Sequence, residues 1–82
     1  MFNVKNKNIL ITGAGGLLGS QFTKTLLAHG AICHAIDFDL QKLNKLKFSL
    51  KKNILKNLSM YNVDITNLTQ INNLYNLLKK KK

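Results

Sequence analysis

An apolar run, a glycine-rich turn and the start of an amphipathic segment follow one another in Ile9-Leu10-Ile11-Thr12-Gly13-Ala14-Gly15-Gly16-Leu17-Leu18-Gly19. This order predicts a strand, a loop that cradles phosphate groups and a helix. The free N–H groups at a helix N-terminus can meet the negative charge of a pyrophosphate. The stretch therefore indicates a site for the adenosine-diphosphate side of a dinucleotide, and an ordinary tight turn is the alternative.

The spacing of the glycines in this stretch fits three structural requirements of a phosphate-binding turn. The chain must turn tightly, its backbone must approach the phosphates, and the helix must pack closely on the sheet. Each demand favours a residue without a Cβ. Gly13, Gly16 and Gly19 lie at three-residue steps and can meet these demands in turn, while Gly15 adds backbone freedom. The spacing departs from the strict G-x-G-x-x-G form, which would place its last glycine at Leu18.

Length and composition limit the class of protein. The 82 residues allow one domain, 1–82. A chain of this size buries only about 60% of the surface of its unfolded form, so we expect marginal stability. The single Cys33 excludes an internal disulfide and fits a reducing cytoplasm. Residues 1–8 are mostly polar and no run approaches the ~20 apolar residues of a membrane span, so we expect a cytoplasmic protein without a secretory signal.

The formal net charge of +10 raises the question of a nucleic-acid partner. All 13 basic residues are lysine. Arginine, which contacts phosphates and bases through two parallel hydrogen bonds, is absent. The lysines are spread along the chain apart from Lys79–Lys82, and the abundance of Lys, Asn and Ile is what A/T-rich codons would give. We therefore favour solvated surfaces over a nucleic-acid function.

Hydrophobic spacing predicts three strands and three helices in alternation. The predicted strands are Asn8–Thr12, Ala31–Ile36 with Asp37 at its end, and Leu58–Val63 with Asp64 at its end. The predicted helices run from Leu17 to His29, from about Asp39 to about Ser49, and onward from a cap at Thr66 or Asn67. Their apolar stripes are Leu18, Phe22 and Leu26, then Leu40, Leu43, Leu46 and Leu50, then Leu68, Ile71, Leu74, Tyr75 and Leu78.

The connections carry weaker signals. Gly30 is expected to end the first helix in a left-handed conformation, and Lys51–Asn57 is expected to be irregular. The order β-α-β-α-β-α with short connections predicts an α/β fold, in which helices pack on a parallel sheet through right-handed crossovers. The run Ile9-Leu10-Ile11 does not alternate, which is typical of a strand covered on both faces.

Asp37 is the second candidate site residue. It lies at the predicted end of the second strand, 18 positions after Gly19 (37 − 19). A carboxylate about 20 residues beyond such a loop accepts hydrogen bonds from the ribose hydroxyls. It also repels a 2′-phosphate, so NAD is favoured over NADP as the cofactor. Asp39 is the alternative acid, or it caps the second helix.

These residues carry a family resemblance. The segment Thr12–Gly19 fits the T-G-x-x-G-x-x-G form of the short-chain dehydrogenase/reductase family. Gly16-Leu17-Leu18-Gly19-Ser20 resembles the branch of the family that is rich in nucleotide-sugar enzymes. Val63-Asp64-Ile65-Thr66 resembles the family's D-[V/I]-T segment, where the aspartate meets the adenine; the alternative for Asp64 is a helix cap. The cofactor-binding residues implied are Thr12, Gly13, Gly15, Gly16, Leu17, Leu18, Gly19, Asp37, Asp64 and Ile65.

The resemblance implies the N-terminal half of a Rossmann fold, with a three-stranded parallel sheet in the order 3-2-1. In the family this half binds NAD(P) for hydride transfer on a carbonyl or alcohol. The family's fourth strand, its catalytic serine and its Tyr-x-x-x-Lys pair are absent, so we expect a fragment that is inactive alone. Tyr75 and Lys79 match that pair in letters, but they lie too early in the chain, and we interpret Tyr75 as a packing residue.

Several interpretations remain open at this stage. The resemblance implies either a parent dehydrogenase, for which a sugar is a candidate substrate, or a nucleotide-sugar epimerase or dehydratase. A non-catalytic basic protein that binds nucleotides or nucleic acid is the alternative from another class. No cluster joins His29 or His34 into a metal site. The Lys79–Lys82 run suggests a reading frame that stopped early, and the unpaired first strand predicts self-association.

Overall fold

Strands and helices follow one another along residues 3–80, the part of the chain described by this computed structural model. The strands are β1 (Asn8–Thr12), β2 (Ile32–Asp37) and β3 (Leu58–Asn62). The helices are α1 (Leu17–Ala28), α2 (Leu40–Phe48), α3 (Lys52–Leu55) and α4 (Leu68–Lys80). The predicted α/β order is confirmed, and the segment expected to be irregular contains the short helix α3. No helix in this range is long and apolar enough to span a membrane.

The three strands form one parallel sheet in the order β1-β2-β3, which is the predicted order 3-2-1 viewed from the other edge. Register pairs Asn8 with Ile32 at one end of β1 and Thr12 with Ile36 at the other. On the other side of β2, Asp37 pairs with Asn62 at the end of β3. The carboxyl ends of all three strands therefore lie at one edge of the sheet, where parallel α/β folds place ligands.

The main core lies on the face of the sheet that α1 and α2 cover. Residues alternate between faces along a strand, so the buried Cys33 and Ala35 of β2 pack here with Leu27 of α1 and Leu43 of α2. A smaller cluster on the other face joins Ile36 and Tyr61 to Leu74 of α4. The remaining core residues are Val4, Ile11, Ala14, Ala31 and Leu46.

The predicted apolar stripe of α1 is wrong at two of its three positions, and only Leu26, which is partly buried, packs against the core as predicted. Leu18 is 81% exposed and Phe22 is 66% exposed, whereas Thr23 and Leu27 are buried. Gly19 lies against the glycine loop, and this contact turns the face carrying positions 19, 23 and 27 toward the sheet. The Thr23 hydroxyl donates to the Gly19 carbonyl at 2.7 Å, so a polar residue can occupy the core without an unpaired group.

The end of α1 follows the prediction for Gly30. Gly30 has a φ of +87°, its N–H donates to the Leu27 carbonyl, and the Ala31 N–H donates to the Leu26 carbonyl. These two bonds satisfy carbonyls that the last turn of a helix leaves without partners. The helix therefore stops abruptly, and the chain passes directly into β2.

The third predicted stripe is only partly correct. Leu74 is buried and Leu78 is partly buried, but Tyr75 is 63% exposed, so it is not the packing residue that we expected. Asn67 is the cap of α4, since its side chain accepts the Gln70 N–H at 3.1 Å.

In α2, Leu43 and Leu46 are buried as predicted, while Leu40 is exposed. The Lys79–Lys82 run lies partly outside the described residues, and β3 ends one residue before the predicted Val63.

The corrected face of α1 leads to a stability prediction. Leu27→Ala removes a fully buried side chain, and we expect it to lower the free energy of unfolding by about 2–5 kcal/mol. Leu18→Ala, the same substitution on the same helix at an exposed position, should change it by less than about 0.5 kcal/mol. Urea denaturation followed by circular dichroism measures both. A loss at Leu18 that equals or exceeds the loss at Leu27 would contradict the observed packing.

Candidate functional site

The glycine loop is fastened to the end of β2. The Ala14 N–H donates to the Ile36 carbonyl at 3.0 Å, and the Gly15 N–H donates to Oδ2 of Asp37 at 3.0 Å. Gly13 has a φ of +64°, a left-handed conformation that favours glycine. A Cβ at Gly13 would meet no atom within 4 Å, so this turn leaves open space beside the backbone.

Gly15 has a role that the sequence did not reveal. A Cβ placed there would lie 2.5 Å from Cβ of Lys42 and 2.9 Å from its carbonyl carbon. The residue must therefore lack a side chain because α2 packs directly on the loop, and its φ is not positive. A Cβ at Gly19 would overlap the Gly13 carbonyl oxygen and lie 3.0 Å from Cα of Ala14, so α1 also begins in close contact with the loop.

The N-terminus of α1 is free of side-chain caps. Gly16 is the N-cap residue with an extended backbone, no side chain bonds to the first turn, and that turn contains no acid. Leu17 and Leu18 occupy the first helical positions with exposed side chains. Backbone N–H groups at such a terminus lack carbonyl partners within the helix, so this end of α1 can accept an anion.

A cleft of about 500 Å³ opens beside the loop at the carboxyl ends of the strands. It brings together five of the predicted site residues from three separate parts of the chain: Gly13, Gly16, Asp37, Asp64 and Ile65. The other predicted residues do not line it. Thr12 ends β1, Gly15 and Gly19 lie in packing contacts of the loop, and Leu17 and Leu18 form the first turn of α1.

Asp37 and Asp39 have different roles in the structure. Asp37 is only 6% exposed, and its carboxylate accepts the Gly15 N–H and, at 3.0 Å, the Asp39 N–H. Asp39 caps α2, since its Oδ1 accepts the N–H groups of Gln41 and Lys42. Asp37 lines the cleft and Asp39 does not. Of the two roles considered for Asp39, it therefore has that of a helix cap and not that of the acid in the cleft.

Asp64 forms a tight turn before α4. Its Oδ1 accepts the Thr66 hydroxyl at 2.6 Å and the Thr66 N–H at 2.9 Å. These hydrogen bonds, the hydroxyl first, lower the pKa of the Asp64 carboxyl below its ordinary value. Asn67 is the residue that caps α4, so the alternative interpretation of Asp64 as a helix cap is wrong.

Sequence reasoning missed several residues of this cleft. Phe38 is 76% exposed at the rim, and Lys42, Thr66, Ile36 and Val63 complete the lining. The position of Phe38 directly after Asp37 is a usable signal, because the residue that follows a strand-end carboxylate must lie near the same edge. The sequence carries no such signal for Lys42, because its place in the lining depends on how α2 packs against the loop.

The remaining candidate side chains lie away from the cleft. His29 ends α1 and bonds the Thr25 carbonyl through Nδ1, and His34 of β2 contacts Asn8 and Tyr61. Cys33 is buried, and burial raises the pKa of its thiol. Within residues 3–80 no three His, Cys, Asp or Glu side chains gather as a metal site.

A parallel sheet with helices on both faces and a glycine loop at the carboxyl end of its first strand define half of a Rossmann-like fold. The comparison with protein families agrees with this class. The model of the short chain dehydrogenase family matches residues 7–82, so the chain belongs to that family.

Solved structures of similar shape are longer proteins. A Haemophilus influenza protein with bound NAD, provisionally assigned as a D-mannonate oxidoreductase, shares 28% identity over 96% of this chain with a TM-score of 0.75. A short chain dehydrogenase/reductase from Burkholderia phymatum in complex with NAD shares 22% identity over 94% of this chain with a TM-score of 0.70. The chain spans 28% and 27% of their lengths. No curated protein matches it significantly.

The turn at Asp64 leads to a prediction about pH. A carboxyl whose pKa is lower in the folded state stabilises that state above its unfolded pKa and loses this contribution as the pH falls through its folded pKa. In a carbon-13 NMR titration, the Asp64 carboxyl should therefore titrate below an unperturbed aspartate.

A matched pair of variants tests the cause of this shift. Thr66→Val removes the first of the two donors while keeping the branched shape, so the Asp64 midpoint should rise. Thr69→Val, an exposed position on α4, should leave the midpoint unchanged. An Asp64 midpoint that Thr66→Val does not move would show that the hydroxyl is not the cause.

Proposed function

We propose that this chain is the NAD-binding segment of a short-chain dehydrogenase/reductase-type oxidoreductase. The observation that carries the proposal is the cleft that joins the glycine loop to the Asp37 carboxylate at the carboxyl end of the sheet. When bound, NAD would supply the acceptor or donor of a hydride for a carbonyl or alcohol substrate. The two solved neighbours that contain NAD support this choice of cofactor.

The residues present fit the adenosine-diphosphate half of that cofactor. The uncapped N-terminus of α1 and the open space beside Gly13 suit the pyrophosphate. Asp37 has one hydrogen bond at each carboxylate oxygen, which leaves lone pairs for ribose hydroxyls. Phe38 and Ile65 are exposed apolar side chains of the same cleft, so they suit the faces of an adenine, with Asp64 beside them.

The charge of Asp37 supports NAD over NADP. A 2′-phosphate placed where the ribose hydroxyls meet this carboxylate would bring two negative groups together. Because the carboxylate is held by two backbone N–H groups, it cannot simply swing away from the ligand. The preference for NAD is therefore built into the attachment of the loop to β2.

We propose further that the chain has no turnover by itself and that its parent reaction uses a sugar-derived substrate. Tyr75 supports the first point, because it lies on α4, is exposed, and does not line the cleft. The neighbour assigned to D-mannonate supports the second. The single cysteine, Cys33, supports a reducing, cytoplasmic location.

The proposed role of Asp37 can be tested by calorimetric titration of the chain with ADP and with NAD. Asp37→Asn replaces two acceptor oxygens by one oxygen and one N–H donor group, so the affinity for both ligands should fall by about tenfold or more. Asp39→Asn is the matched control, because asparagine also caps helices well, and it should bind as the unmodified chain does.

Two outcomes would count against this assignment. Equal losses in the two variants would mean that the acid at 37 has no special role, and the absence of ADP binding by the unmodified chain would contradict the proposed function. Binding of a short oligonucleotide that is indifferent to both changes and falls steeply with salt would favour a basic nucleic-acid-binding protein.

We also propose that the chain self-associates through the edge of β1. Within the described residues β1 pairs only with β2, and Leu10 is exposed on the sheet face opposite α1. Such an edge offers unpaired backbone groups next to apolar side chains, which is a template for pairing with another copy.

Sedimentation velocity over a range of concentrations tests this proposal. Leu10→Lys places a charge on the edge strand and should shift the population toward monomer. Phe48→Lys adds the same charge at an exposed position on α2 and should not. A monomer at every concentration for the unmodified chain would contradict the proposal.

A further inference from the structure

A second, smaller cleft of about 260 Å³ lies between α1 and α2. Three lysines from these two helices line it: Lys24 from α1, and Lys42 and Lys45 from α2. Gly15 forms part of its wall, so it lies on the glycine loop, and Lys42 also lines the larger cleft. The two clefts are therefore neighbours that share one side chain.

Helix geometry brings these side chains to one place. Ser20 and Lys24 are four residues apart on α1, and Lys42 and Lys45 are three apart on α2, so each pair shares one face of its helix. Because the Lys42 backbone packs against Gly15, the distance between the two helices is fixed at this point by the loop. Lys24 is partly buried, while Lys42 and Lys45 are exposed.

No carboxylate forms an ion pair with these lysines among residues 3–80, although Asp39 lies one helical turn before Lys42 and accepts its backbone N–H at 3.3 Å. Asp37 and Asp39 are the nearest acids along the chain, and their oxygens accept backbone N–H groups of the loop and of α2. The carboxylate of Asp64, the third acid of the chain, is bonded to Thr66. Three like charges around one small cleft repel one another, and a bound anion would relieve that repulsion.

The hydroxyl groups of the cleft do not supply the donors. Ser20 Oγ–H donates to the Leu17 carbonyl and Ser49 Oγ–H donates to the Leu46 carbonyl. The free donors are therefore the lysine ammonium groups, which act as mobile point charges rather than as a planar fork. This arrangement suits a compact multivalent oxyanion such as phosphate better than a flat carboxylate that needs two parallel bonds.

We propose that this lysine cleft binds a free inorganic phosphate anion, pyrophosphate included. The site adjoins the cofactor cleft through Lys42, but the proposal rests on the lysine lining and does not depend on the proposed function. An anion here would lie beside Lys42 and Gly15, so its binding would also stabilise the packing of α2 on the glycine loop.

Calorimetric titration of the unmodified 82-residue chain with sodium pyrophosphate tests the proposal. We expect saturable binding that persists when ADP is present in excess. The double variant Lys24→Gln/Lys45→Gln keeps the length of both side chains and removes two charges, so its affinity should fall by about tenfold or more. Lys47→Gln/Lys56→Gln removes the same charge at exposed positions outside the cleft and should change the affinity by less than about twofold.

Three results would overturn the proposal. Equal losses in both double variants would mean that pyrophosphate responds only to net charge. Binding that ADP abolishes and that Lys24→Gln/Lys45→Gln leaves unchanged would place the anion at the N-terminus of α1 instead. The absence of saturable binding would exclude the site outright. Each result is separate from the proposed function, which is judged by ADP affinity in the Asp37 and Asp39 variants.

Discussion

The attachment of the glycine loop to the end of β2 is the interaction on which the rest of this structure depends. Two backbone donors of the loop, from Ala14 and Gly15, bond the carbonyl of Ile36 and the carboxylate of Asp37. The same Gly15 lies against Lys42 of α2, so one small contact joins the loop, β2 and α2. A Cβ at Gly15 would overlap Lys42 of α2 and lie 3.1 Å from Oδ2 of Asp37. The loop is thus held in shape by the protein itself, before any ligand is present.

This arrangement gives Asp37 both a structural and a proposed chemical role. A buried carboxylate is stabilised when N–H groups bond it, and here the donors are those of Gly15 and Asp39. The fixed carboxylate then faces the cleft in which Gly13, Gly16, Asp64 and Ile65 meet. Preorganisation of this kind lowers the entropy lost when a ligand is ordered, because the acceptor already has its orientation. The residues that shape the fold at this edge are therefore the residues proposed to bind the cofactor.

Local patterns predicted the elements, while tertiary contacts decided the details. The parallel α/β order, the strand β1 and the Gly30 helix end follow from short-range periodicity and turn chemistry, and the structure has them. The buried side of α1 could not be predicted, because Thr23 enters the core only by bonding its own helix, and hydrophobicity assigns that position to the surface. The prediction that Tyr75 packs against the sheet was wrong for a different reason. The apolar stripe of α4 is wide, and only part of it is buried, so Leu74 is covered while Tyr75 is exposed. The packing role of Gly15 and the lysine cleft both depend on how α2 packs against the loop and α1. This is a tertiary contact, so the sequence of any one segment does not predict it.

The central claim is that the edge formed by the glycine loop, Asp37 and Asp64 holds an adenosine diphosphate. A nitrogen-15 NMR titration of the unmodified chain with ADP tests it most directly, because each backbone N–H reports separately. The account predicts saturable shifts at Gly13, Gly16, Asp37, Asp64 and Ile65, and none at Tyr75 or His29. Shifts confined to the exposed lysines, or the absence of saturable shifts at the loop, would contradict it.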